Sequence, residues 1–105
     1  MTQFNTPGFI EGSIDSDENI DIRRKRLKFR SWHRGIKEAD ILLGSFADKF
    51  LAQMTVAQLD KYENLLREAD SDIVAWITND REPPEHYKHD VMDMLTSIDY
   101  IKILK

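Results

Sequence analysis

The chain has 105 residues, no cysteine and a net charge of −4, with 41% hydrophobic and 32% charged residues. That length supports one modest core and not two, and the missing cysteines exclude a disulfide framework, a thiol nucleophile and a Cys-based zinc site. No apolar run approaches the roughly 20 residues that cross a bilayer, so a monomer held by packing alone, without membrane insertion, is the expectation.

The small net charge conceals segregation. Residues 1–22 carry five acids and no base, residues 23–37 carry eight bases and no acid, and the rest is acidic. One cationic face is the natural reading of such a chain. The N-terminus has neither a basic region followed by an apolar block nor the Arg-rich composition of a transit peptide. A bacterial cytosolic protein is therefore expected, although a mature matrix protein shorn of its presequence would read similarly.

Residues 1–20 contain Pro7, Gly8, Gly12 and scattered acids, and Phe4, Phe9, Ile10 and Ile14 follow no period. They read as a flexible acidic tail ahead of a single helical domain, 21–105. A first helix is expected from about Asp21 to His33, its acid in the first turn and its cations after it. Ile22, Phe29 and Trp32 fall on one side, taken as the packing side. Leu27 points nearly opposite Phe29, since two residues span about 200° of helix. Gly35 should end this helix at the left-handed C′ position.

The next helix, from near Ile36 to about Leu51, has Ile36, Ala39, Leu43, Phe46, Ala47 and Phe50 at three- and four-residue steps, with Leu42 beside them. Gly44 interrupts that pattern at about 1 kcal/mol against alanine, which a closely crossing neighbour would explain. Thr55-Val56-Ala57-Gln58 matches a capping box, and Val56, Leu59, Tyr62, Leu66 and Ala69 give a third helix. Asp70-Ser71-Asp72 reads as a stop and a fresh N-cap, followed by a short helix with Ile73, Trp76 and Ile77. After a loop through Pro83-Pro84, a fifth helix from about Glu85 should bury Tyr87, Val91, Met94, Leu95 and Ile98; Ile101, Ile103 and Leu104 extend it or fold back. No segment alternates as a strand does, so the expectation is an all-α fold, a compact bundle of five short helices with no sheet.

The chemistry on offer is sparse. His86 and His89, with Asp90 and Asp93, could be drawn as a metal site, but the second ligand pair of a closed zinc site is missing. With no strands there is no glycine-rich phosphate loop after one. Seven bases from Arg23 to Arg34 interleaved with Phe29 and Trp32 form a basic patch with stacking residues, equally readable as a solvated helix with the aromatics in the core. The pair Arg34 and Glu38 admits two roles. Each charge suits the end of the helix it sits on, which is structural; facing outward beside Trp32 and His33, they would form a protein-docking site.

Arg34-Gly35-x-x-Glu38, preceded by Arg30-Ser31-Trp32-His33 and followed by Asp40-Ile41-Leu42-Leu43-Gly44-x-Phe46-Ala47, resembles the FAD assembly factors of succinate dehydrogenase. The resemblance extends more loosely through Tyr62-Glu63-x-Leu65-Leu66, Asp70-x-Asp72, Ile73 and Trp76-Ile77. It implies a small five-helix domain that is not an enzyme. Such proteins bind the flavoprotein subunit of succinate dehydrogenase, in bacteria also fumarate reductase, and promote covalent attachment of FAD to a histidine of that subunit. Carried onto this chain, the partner-binding residues are Arg34, Gly35 and Glu38, with Arg30, Trp32 and His33 as neighbours, the charges of Arg34 and Glu38 expected to face outward. The FAD is the partner's, none being stably bound here, and no nucleic acid is expected. The competing readings are a small antitoxin-like regulatory module acting through the basic helix, and an independent flavin-binding protein.

Overall fold

The structure, a computed structural model, describes residues 18–99; the anticipated tail up to residue 17, and Ile101, Ile103 and Leu104, lie outside those residues. Among the described residues the fold is all-helical: α1 (Ile20–Trp32), α2 (Lys37–Phe50), a 3-10 turn (Leu51–Gln53), α3 (Val56–Leu65), α4 (Asp70–Ile77), a second 3-10 turn (Glu85–Tyr87) and α5 (Asp90–Thr96). This is the expected bundle of five short helices.

Helix α1 starts where the Asn19 side chain accepts the Asp21 N–H at 2.8 Å. Its packing face is the reverse of the one expected. Leu27 and Ser31 are buried, whereas Ile22 and Phe29 are 59% and 63% exposed. The arginines explain the inversion. Arg23, Arg24 and Arg30 lie on the same side as Leu27, and their long stems reach across the bundle while their heads end on polar partners. Arg24 donates to the Leu51 and Met54 carbonyls, both at 2.9 Å, tying α1 to the turn that follows α2.

Helix α2 runs beside α1 and buries Ala39, Leu42, Leu43, Phe46 and Ala47. Gly44 lies at their crossing. A Cβ built there would fall 2.1–2.5 Å from three atoms of the Trp32 indole, so the close approach that glycine hinted at is real. The remaining core is Leu51, Met54, Leu59, Tyr62, Leu65 and Leu66, closed by Ile73, Trp76, Ile77, Tyr87, Val91, Met92 and Leu95.

Inside it sits one short polar chain. Ser31 Oγ is 2.7 Å from the Leu27 carbonyl and 2.7 Å from the Tyr62 hydroxyl. Its single proton goes to the carbonyl, which can only accept, so Tyr62 donates to Ser31. Burial raises the Tyr62 phenol far above its ordinary value, which keeps that proton in place.

Helix α3 opens on the anticipated capping box. Thr55 Oγ1 accepts from the Gln58 N–H at 3.2 Å, and Gln58 Oε1 accepts from the Thr55 N–H at 3.0 Å. Two other expectations change. The N-cap of α4 is Ala69, which offers no side-chain acceptor, and Asp70 is the first helical residue. The fifth helix is not continuous from Glu85. The chain breaks at Lys88 and restarts at Asp90, because the His89 Nδ1 accepts the Met92 N–H at 3.1 Å and caps α5. An imidazole nitrogen that accepts carries no proton, in keeping with burial lowering the His89 pKa, to which the charge of Lys61 adds.

Two measurements test these contacts. Gly44→Ala is expected to destabilise the protein by about 3 kcal/mol in denaturant titration, since overpacking against Trp32 outweighs the roughly 1 kcal/mol that alanine adds to helix propensity. The second concerns Glu63, which bonds to Arg23 at 2.9 Å and Arg26 at 2.8 Å. Burial opposes its ionisation, but the bonds from Arg26 and Arg23 outweigh this and hold its carboxyl below the ordinary 4.5. The folded state thus binds fewer protons than the unfolded one. The contribution is complete above about pH 4.5 and fades as pH falls through the folded value. Glu63→Gln should flatten the acid limb of the melting-temperature profile below pH 4.5, and an unchanged limb would remove Glu63 from this role.

Candidate partner-docking site

Between α1 and α2 the chain turns through four residues. Helix α1 ends at Trp32 with His33 as its C-cap, at φ −128° and ψ 62°. Gly35 has φ +126°, a conformation that side-chain-bearing residues rarely adopt. It lies two residues beyond the cap rather than at C′, so it shapes the connecting loop and does not terminate the helix. The structure separates the two charges of the knuckle. Glu38 is exposed in the first turn of α2. The Arg34 side chain is only 9% exposed, with Nε donating to Asp70 Oδ1 at 2.7 Å and Nη2 to the Glu68 carbonyl at 3.1 Å. The outward orientation expected of Arg34 is therefore corrected. Its guanidinium closes onto the start of α4, whose first carboxylate stands within reach.

The neighbours divide in the same way. Arg30 reaches toward the Leu66 carbonyl at 3.4 Å. Trp32 is half-buried over Gly44, its Nε1 donating to Asp48 at 3.3 Å. Neither faces freely outward. His33 does: it stacks on the Phe29 ring at 4.0 Å and 19°, and its Nδ1 is 2.8 Å from the Phe29 carbonyl. Only a protonated nitrogen can donate to that carbonyl, so Nδ1 carries hydrogen here. The surface around the knuckle thus comprises Phe29, His33, Gly35, Ile36 and Glu38, with Ile22 further along α1. Phe29 and Ile36 were assigned to the core from the sequence. Leu27 and Phe29 cannot both face inward on one helix, and the apolar stripe of Ile22, Phe29 and Trp32 points away from the side that buries Leu27 and Ser31.

The cationic run is mostly spoken for. Arg23 bonds Asp60 at 2.7 Å and Glu63 at 2.9 Å; Arg26 bonds Glu18 at 2.9 Å and Glu63 at 2.8 Å; Lys28 lies 3.2 Å from Asp48. With Arg24, Arg30 and Arg34 turned onto carbonyls and Asp70, six of the eight cations hold the bundle or its rim together. Among the described residues, Lys25 and Lys37 have no ion-pair partner. A groove of arginines free to track a phosphate backbone is not what α1 presents. Elsewhere, His86, Tyr87 and His89 border a shallow open cleft with Lys61 and Asn64. His89 is committed to its cap, and Asp90 to Lys61 at 2.8 Å and Gln58 at 3.2 Å. These two hydrogen bonds, Lys61's first, hold the Asp90 carboxyl down to about 2. Among the described residues no group of three potential metal ligands converges.

Comparison with known proteins gives this geometry a context. A family model described as the flavinator of succinate dehydrogenase matches residues 25–99. Curated relatives include the protein named succinate dehydrogenase assembly factor 2, mitochondrial, of Lodderomyces elongisporus, 54% identical over 61 residues, covering 58% of this chain and 37% of that protein. Its namesake in Schizosaccharomyces japonicus is 44% identical over 72 residues, 69% of this chain and 50% of the other. That of Danio rerio is 45% identical over 80 residues, 74% and 51% respectively. The chain thus spans about a third to a half of the length of these relatives. They overturn the expectation of a bacterial cytosolic protein, being mitochondrial by name and eukaryotic by source. The composition of a folded domain records no address, because targeting segments lie outside it and are removed.

The reversed face of α1 has a direct test. Leu27→Ala should cost about 3 kcal/mol in chemical denaturation, while Phe29→Ala should change stability by less than about 1 kcal/mol. Equal losses would contradict the orientation described.

Proposed function

Because the chain belongs to the flavinator of succinate dehydrogenase family, we propose that it binds the flavoprotein subunit of succinate dehydrogenase and promotes covalent attachment of FAD there, acting as an assembly factor and not as an enzyme with a turnover of its own. The observation that carries this reading is the knuckle: a glycine at φ +126° exposed between His33 and Glu38, with apolar Phe29 and Ile36 beside it. A side-chain-free backbone permits close approach, apolar side chains supply buried area on contact, and a carboxylate without an ion-pair partner among the described residues accepts charge-assisted hydrogen bonds.

Such a surface suits catalysis by positioning. In this reading FAD, carried by the partner, supplies the electrophilic carbon of the new bond. The residues of this chain supply orientation. Glu38 fixes register through a charged contact, Gly35 lets the loop lie against the partner, and Phe29 with His33 forms a flat aromatic step that excludes water. Holding two reacting groups in line accounts for large rate effects without any reactive side chain on the scaffold. Within the cationic run, steering falls to Lys25 and Lys37, since its arginines are engaged internally.

The test is covalent flavin retained by the denatured flavoprotein subunit, read as in-gel fluorescence with and without this protein. Glu38→Ala should lower retention and weaken capture of the subunit about tenfold, the scale of one good interface contact, while leaving the melting curve of the free protein in place. Gly35→Arg should do the same, with an added backbone strain of about 1–3 kcal/mol. Wild-type flavin retention with both variants would dismiss this surface.

A further inference from the structure

The geometry of the knuckle depends on a residue 36 positions further along the chain. Residue 34 is gripped from two helices at once. Its backbone N–H donates to the Asp40 carboxylate in α2, and its guanidinium is taken by Asp70 and the Glu68 carbonyl at the entrance of α4. Asp70 does not cap its own helix by a side-chain hydrogen bond. Its Oδ1 holds Arg34, and its Oδ2 lies under Gly35, 3.8 Å from where a Cβ would stand. The two oxygens of one carboxylate thus bracket the two residues at which the loop turns.

We propose that Asp70 is a positioning residue for partner recognition: acting through Arg34, it holds the Gly35–Glu38 segment in the single arrangement that the partner reads. This rests on the docking role proposed above. Elsewhere the packing of α1 on α2 is set by Trp32 over Gly44 and by Leu27, so the helices do not require the Arg34–Asp70 pair to stay together. The loop does. Glycine at its apex widens the range of accessible backbone conformations, and Ile36, the N-cap of α2, makes no side-chain cap hydrogen bond. Without the carboxylate the loop samples other conformers, and affinity falls by the fraction of molecules left in the competent one. The motif arginine then acts from inside the molecule and contacts nothing on the partner.

The opposite possibility makes a distinct prediction. If Arg34 swings out on docking, the Asp70 contact must first break, and weakening it would leave binding unchanged or tighten it. Full-length protein and the isolated flavoprotein subunit are compared by calorimetric titration and by covalent flavin yield. Asp70→Asn is expected to raise Kd about tenfold and lower flavin yield in parallel, with faster amide exchange at Gly35 and Ile36. Arg34→Ala should weaken binding equally, and the Arg34→Ala/Asp70→Asn pair should be no worse than either single change, because both remove one device. Asp70→Glu, which keeps the charge on a longer arm, should restore part of the affinity and serves as the folded comparison should Asp70→Asn melt below the assay temperature. Unchanged or tighter binding by Asp70→Asn, or unchanged binding by Arg34→Ala where Asp70→Asn does not fold, in an assay where Glu38→Ala still weakens it, overturns the proposal. If Glu38→Ala and Gly35→Arg also bind as wild type, it is the docking surface that fails, and the role of Asp70 falls with it.

Discussion

The molecule depends on one steric fact: the indole of Trp32 occupies the space that a side chain at position 44 would need. Interiors are packed densely enough that such a contact admits little adjustment. It fixes how closely α1 and α2 approach, and the arginines of α1 then set its rotation. Leu27 and Ser31 face the bundle, Ser31 reaches Tyr62, and Phe29 is left outside. A rigid helix pair is also what allows a loop of four residues to present a defined shape at its end.

Around that contact the arginines of α1 act as fasteners. Each exposed ion pair contributes little, but these are not all exposed. The Glu63 side chain is buried and receives two guanidinium groups, and a buried carboxylate without them would be strongly destabilising. Arg24 and Arg34 use the same planar head differently, closing on backbone carbonyls where helices end and begin. The segregated charge therefore describes an interior stitching pattern more than a face offered to solvent, which removes the main physical reason to read α1 as a nucleic-acid groove.

Legibility in the sequence follows the range of the interaction. Features set by neighbours in sequence were legible: the Thr55–Gln58 capping box, the five-helix layout, the close approach at Gly44, and the knuckle around residues 34–38. Features set by competition between distant groups were not. Whether Leu27 or Phe29 faced inward depended on where Arg23, Arg24 and Arg30 could find acceptors on α3 and the turns, up to 40 residues away. Arg34 turned in because Asp70 begins α4 within its reach, and spacing within α1 and α2 contains no trace of that. His89 was weighed as a metal ligand when its nitrogen was needed by a backbone N–H three residues later. In each case a polar group was drawn to the strongest local acceptor or donor once the fold brought it near.

Gln58 couples parts of the fold that appear separate in sequence. Its amide oxygen starts α3, and its amide nitrogen reaches Asp90 at the start of α5, 32 residues on. The same Asp90 carboxylate also accepts Lys61 and its neighbour's N–H. A single planar group therefore ties two helix beginnings together, so the last helix cannot fray alone without loosening the third. The starts of the third and last helices are thus joined through side chains alone, as the knuckle is joined to the start of α4 through Arg34 and Asp70.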